Sequence, residues 1–124
     1  MTEDEHQEKI FDWAVSNLDQ YPELEYMYAN MNGVRRSKRY TAKLKKRGLK
    51  SGIPDMMLPV ARWGFHGLYI ELKRPKSKGK AAGRTSANQK RWIKHLIKQG
   101  YAVHVCFGYI SAIETIEYYL EENS

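Results

Sequence analysis

The sequence predicts an α/β sandwich with a central mixed sheet of about four strands flanked by helices, on three observations. Segments with helical spacing of apolar residues alternate along the chain with short β-like runs. Two serines stand three residues before Gln or Glu, at Ser86 and Ser111, the spacing of a helix-opening capping box. Asn-Gly, Pro and Gly punctuate the joins. At 124 residues the chain suffices for one compact domain, residues 1 to 124.

Residues 3 to 18 carry Gln7, Ile10, Phe11, Ala14 and Leu18 three or four apart, which predicts an amphipathic helix capped by Thr2 with Glu5 at capping-box spacing. Pro22 ends it. Residues 24 to 29 read as a strand closing at the turn dipeptide Asn32-Gly33. A small basic helix over residues 37 to 47 follows, stopped by Gly48, with Tyr40 and Leu44 toward the body. Residues 54 to 61 and 67 to 73 are apolar runs joined by Arg-Trp-Gly-Phe-His, which predicts a hairpin. Alternation in the second run sets Leu68, Ile70 and Leu72 on one face and Tyr69, Glu71 and Lys73 on the other.

Residues 74 to 85 form a Gly- and Lys-rich loop without large apolar side chains, long enough to be mobile. From Ser86 a helix is expected to Gln99, buried along Trp92, Ile93, Leu96 and Ile97 and stopped by Gly100. Residues 101 to 107 read as a central strand buried on both sides, with His104 partly buried. The last helix is expected to open at Ser111 with Glu114, burying Ile113, Ile116 and Leu120.

Charge is sorted by position. Eight of the fourteen acids fall within residues 3 to 25 and four more within 114 to 122, while residues 26 to 113 hold twenty Lys or Arg and only Asp55 and Glu71 as acids. Such a surface suits a polyanion, because each neutralised phosphate releases condensed counterions. A solubilising basic face is the alternative reading. No apolar run approaches a membrane span, and the acidic, polar N-terminus does not resemble a targeting segment, so a cytoplasmic protein is expected. Cys106 lies in an apolar run, as a buried thiol does. His6, His66, His95 and His104 lack metal-ligand spacing, so no zinc site is expected, although His66 could touch a phosphate. Trp63, in the hairpin turn, could stack on a base or form a subunit contact.

Hydrolysis of a phosphodiester needs charge neutralisation, an activated water and in-line geometry. Asp55 opens the first strand of the hairpin and Glu71 nearly closes the second, so antiparallel pairing places both at one end of the sheet, where one Mg²⁺ could bridge them. Lys73 shares Glu71's face and could orient the attacking water. The alternative is that both acids only balance nearby cations.

Gly52-Ile53-Pro54-Asp55, Tyr69-Ile70-Glu71-Leu72-Lys73, Gln89 and Gly100-Tyr101, with Phe11-Asp12-Trp13-Ala14 and His66-Gly67-Leu68-Tyr69 in order, resemble the PD-(D/E)XK nuclease superfamily. Within it the chain is similar to stand-alone VRR-NUC (virus-type replication-repair nuclease) proteins of phages and bacteria. The resemblance implies a restriction-endonuclease-like fold and Mg²⁺ or Mn²⁺ held by Asp55, Glu71 and the Leu72 backbone carbonyl, with Lys73 assisting water. It also implies a first-helix glutamate near the metal. Glu3 is favoured over Glu5 and Glu8 because it shares a helical face with Gln7, Ile10 and Ala14. Gln7, Gln89, Asn32, Arg36 and Tyr101 would support the site or touch DNA, although Gln89 also completes a capping box. Arg35, Lys38, Arg39, Lys43, Arg74, Lys76, Lys78, Lys80 and Arg84 would contact DNA phosphates. The expected activity is that of a DNA endonuclease acting as a homodimer on branched DNA, such as four-way (Holliday) junctions, in replication, recombination or repair. A non-catalytic DNA-binding module on the same fold is the competing expectation.

Overall fold

The computed structural model describes residues 1–30 and 37–122. Helix α1 spans Glu3–Ser16 and opens with the expected reciprocal cap, the Glu5 amide donating to Thr2 Oγ1 at 3.1 Å and the Thr2 amide to Glu5 Oε1 at 2.9 Å. It ends two residues earlier than its apolar spacing suggests, and its buried stripe is His6, Ile10 and Ala14. Residues 24 to 29 are not one strand. Pro22 starts a 3₁₀ turn, Pro22–Tyr26, because its ring presets a turn-compatible φ and it has no N–H to leave unpaired, and β1 is reduced to Tyr28–Ala29. The Asn32-Gly33 turn lies outside the described residues.

Helix α2 is Lys38–Lys46, capped by Ser37 and followed by Gly48 at φ 106°, and it buries no residue. Strands β2 (Met56–Leu58) and β3 (Leu68–Lys73) form the predicted hairpin, Met56 opposite Ile70 and Leu58 opposite Leu68. Its tip is tight, with Trp63 at φ 55° and Gly64 at φ 80° between the bridged residues Arg62 and Phe65, the positive-φ geometry two-residue hairpin loops need. Trp63 is held there by its indole N–H to the Tyr119 carbonyl at 3.0 Å and by stacking on Tyr118 at 5.2 Å, so its own chain already covers one ring face.

Helix α3, Ala87–Lys98, opens with the Ser86/Gln89 capping box, but its buried residue is Leu96 and Ile97 is 54% exposed. The helix is the crossover that a parallel pair requires, and β4 (Ala102–Phe107) runs parallel to β3. The sheet order is β1-β2-β3-β4, with β1, β2 and β3 antiparallel, so the mixed four-stranded sheet is as expected. The inner strands are β2 and β3, not β4. β4 is an edge, and His104 and Phe107 on it are exposed. Its apolar run arises because helices flank both faces, which makes an edge strand read like a central one.

Helix α4 is Tyr109–Leu120 and starts earlier than the Ser111/Glu114 spacing predicts. Gly108, at φ 94°, has no side chain to cap it. The cap comes from another element: His6 Nδ1 accepts the Tyr109 amide at 3.0 Å. Burial lowers the His6 pKa, keeping the ring neutral and its lone pair free. His6→Ala is expected to cost about 2 kcal/mol, near 1 for the cap and the rest for the void. Urea titration at pH 7 measures it, and unchanged stability would refute the capping role.

Leu68, Ile70 and Leu72 of β3 pack with Ile10 and Ala14 of α1 and Ala112, Ile116 and Leu120 of α4 in the main core. The opposite face of β3 carries Tyr69, Glu71 and Lys73 toward α3. No helix among the described residues is long and apolar enough to cross a membrane.

Candidate active site

Asp55 immediately precedes β2, and continuing the β2–β3 register one step sets it across from Glu71. Its backbone carbonyl accepts the Asn30 amide at 2.7 Å, and its Oδ2 accepts the Leu72 amide at 2.7 Å. Odd-numbered β3 residues turn their backbone groups to β4, as in Gly108 N–H to Lys73 O, so Leu72 turns its own, carbonyl included, to the Asp55 side.

Glu71 is only 1% exposed and Lys73 only 6%, an unusual depth for charged groups. One carboxamide holds both. Gln89 Nε2 donates to Glu71 Oε1 at 2.8 Å, while Gln89 Oε1 accepts from Lys73 Nζ at 2.9 Å and from the Ser86 amide at 2.8 Å. Gln89 therefore caps α3 and braces the site at once. Lys73 Nζ lies 3.5 Å from Glu71 Oε1.

Glu71 Oε2 is buried without a hydrogen-bond partner among the described residues. Burial first, and then the neighbouring Asp55 charge, push the Glu71 pKa up to about 8, which Lys73 only partly opposes. Burial also raises the Asp55 pKa, against the Leu72 amide that lowers it. Without a cation, burial and the Asp55 charge both favour the protonated form of Glu71. An unpartnered buried carboxylate oxygen beside a second carboxylate and a backbone carbonyl turned to the same side is a hard, anionic donor set, and it fits a divalent cation completed by water. No cluster of three or more His, Cys, Asp or Glu able to hold a metal occurs among the described residues, so the carbonyl and waters would have to complete the shell.

Glu3 is exposed at the start of α1, and its charge reaches His6; the first-helix acid whose charge reaches Asp55 is Asp4. Sequence reasoning passed over Asp4 because it weighed only the glutamates. Gln7 is half-buried on α1. Tyr101 precedes β4 at the other end of β3, edge-on to Tyr69 and His66, about 13 Å of strand from Glu71, and is not brought to the carboxylates.

Lys38, Arg39 and Lys43 are exposed on α2, and Lys76, Lys78, Lys80 and Arg84 on the loop after β3. That loop is not structureless: Ser77 and Lys80 exchange backbone hydrogen bonds around Lys78-Gly79, and Arg74 Nη2 ties back to the Ala81 carbonyl at 2.6 Å. Arg74 is thus a strut within the loop. Asn32, Arg35 and Arg36 lie outside the described residues. Reasoning from sequence also missed Asn30 and Asn88, which pin the segment leading to Asp55 by donating to the Pro54 and Ser51 carbonyls; acceptors 24 and 37 residues away leave no spacing signal.

A family model described as the VRR-NUC domain matches residues 1–109. A solved structure described as a VRR_NUC domain protein is similar at 31% identity and a TM-score of 0.77, covering 98% of this chain and 89% of that one. No curated protein matches.

Proposed function

From the premise that the chain belongs to the VRR-NUC domain family, a nuclease-type family, we propose that it is a Mg²⁺- or Mn²⁺-dependent DNA endonuclease whose site is Asp55, Glu71 and Lys73. The observation that carries the reading is the buried Glu71 carboxyl, with an unpartnered oxygen, beside the half-buried Asp55 carboxyl inside the most basic stretch of the chain.

Asp55, Glu71 and the Leu72 carbonyl would hold the ion, which when bound neutralises charge on the phosphoryl oxygens and lowers the pKa of a bound water. Asp55 is oriented for this by the Leu72 amide, and Glu71 by the Gln89 carboxamide. To bind a cation Glu71 must give up its proton, so affinity should rise with pH toward about 8. Lys73, aimed by Gln89, places its ammonium beside the reacting phosphate and can hold the attacking water or offset charge on the phosphoryl group. The cations of α2 and of the loop after β3 track the DNA backbone, where position rather than base identity is read. We further propose a homodimer acting on branched DNA such as four-way junctions, since two symmetric sites would cut paired strands.

A panel of junction, flap, duplex and single-stranded DNA, assayed with Mg²⁺, Mn²⁺ or EDTA, tests the activity, with mass in solution measured alongside. Divalent-dependent cleavage abolished by EDTA, greatest on the junction, is expected from a dimer. Salt-sensitive binding without cleavage under either ion would establish the non-catalytic module instead.

A further inference from the structure

We propose that Asn88 is a positioning residue for Asp55, acting through residues 51–55; the inference rests on the metal-site reading above. Asn88 is the second residue of α3. Its Nδ2 donates to the Ser51 carbonyl at 2.9 Å and to Ser51 Oγ at 3.0 Å, while its Oδ1 accepts from Arg91 Nη2 at 2.7 Å. Gly52, at φ 91°, lies flat on the same helix. A Cβ there would come within 2.6 Å of Asn88 Nδ2 and 2.9 Å of Trp92 Cδ1, so the close approach depends on glycine.

Two residues on, the Pro54 carbonyl accepts Asn30 Nδ2 at 2.6 Å, and then Asp55 takes the Leu72 amide. The segment is therefore held at its start by α3 and at its end by the sheet. Upstream of it stands α2, which buries no residue and so offers the segment little rigid support of its own. Asn88 is adjacent to Gln89, which braces Glu71 and Lys73. The first turn of α3 thus grips both halves of the site: Gln89 directly, and Asn88 through the chain that delivers Asp55. Partners that orient a ligand are felt as metal affinity even though they touch neither metal nor substrate.

The test compares wild type, Asn88→Ala and Gly52→Ala by Mn²⁺ titration without DNA, by single-turnover cleavage over a range of Mn²⁺ and by thermal melting. For Asn88→Ala the expected result is about tenfold weaker Mn²⁺ affinity, a kcat loss that excess Mn²⁺ restores, and a DNA KM within about twofold of wild type. Gly52→Ala, which displaces the segment with Asn88 intact, should show the same pattern. Unchanged Mn²⁺ affinity in both variants overturns the inference. A raised KM with unchanged Mn²⁺ affinity makes Asn88 a DNA contact, and loss of the cooperative melt makes it a fold determinant; either also overturns it. Failure of the wild type itself to bind Mn²⁺ overturns the metal site, a result separable from the others.

Discussion

Glu71→Gln is expected to lower divalent-dependent cleavage by at least about 10³-fold while making the metal-free protein more stable at alkaline pH. The loss follows from removing one of two anionic donors. The gain follows from linkage. The folded-state pKa of Glu71 is raised from 4.5 to about 8, so the protonated group contributes stability that is fully present below pH 4.5 and is lost as pH rises through about 8. The full shift corresponds to about 5 kcal/mol. A glutamine keeps the shape, can still accept from Gln89, and cannot ionise, so its stability should stay flat across that window. Melting both proteins in EDTA at pH 5.5 and 8.5 decides the matter: only the wild type should destabilise, and only the wild type should be rescued by Mn²⁺. Parallel pH responses would mean that Glu71 is not held in its neutral form.

Lys73→Met should reduce kcat by about 10² to 10³-fold with the DNA KM little changed. The methionine can fill the volume of the methylenes that lie near Gly83, so the fold survives, but the ammonium beside Glu71 is gone. Lys73→Arg should not restore the rate. A planar guanidinium cannot place one compact charge between Gln89 Oε1 and Glu71 Oε1 as the ammonium does. Single-turnover kinetics at saturating Mn²⁺ are the measurement, and a wild-type rate in either variant would remove Lys73 from the chemistry.

The Thr2/Glu5 and Ser86/Gln89 capping boxes were legible because both partners lie three residues apart on one chain segment. The cap of α4 was not, because His6 comes from α1, 103 residues away. The β2–β3 hairpin was legible from two apolar runs and a turn, whereas β1 was overestimated because Pro22 diverts three residues of apparent strand into a 3₁₀ turn. β4 was mistaken for the central strand since helices screen both of its faces, and hydropathy cannot tell a covered edge from a paired one.

For the site, strand alternation alone put Glu71 and Lys73 on one face, and antiparallel pairing put Asp55 at the same end of the sheet as Glu71. The segregation of charge, with these two acids alone in 88 residues, was likewise complete in the sequence. These are properties of local periodicity and of counting, which need no knowledge of neighbours across the fold. What only the tertiary structure decided is everything that depends on such neighbours. It set Gln89 between Glu71 and Lys73, left Glu71 Oε2 buried and unpartnered, brought the Asp4 charge to bear on Asp55, and laid residues 51–55 against Asn88. Burial and hydrogen-bond partnership are relations between distant segments, and they, rather than the spacing of residues, determine which carboxyl keeps its proton.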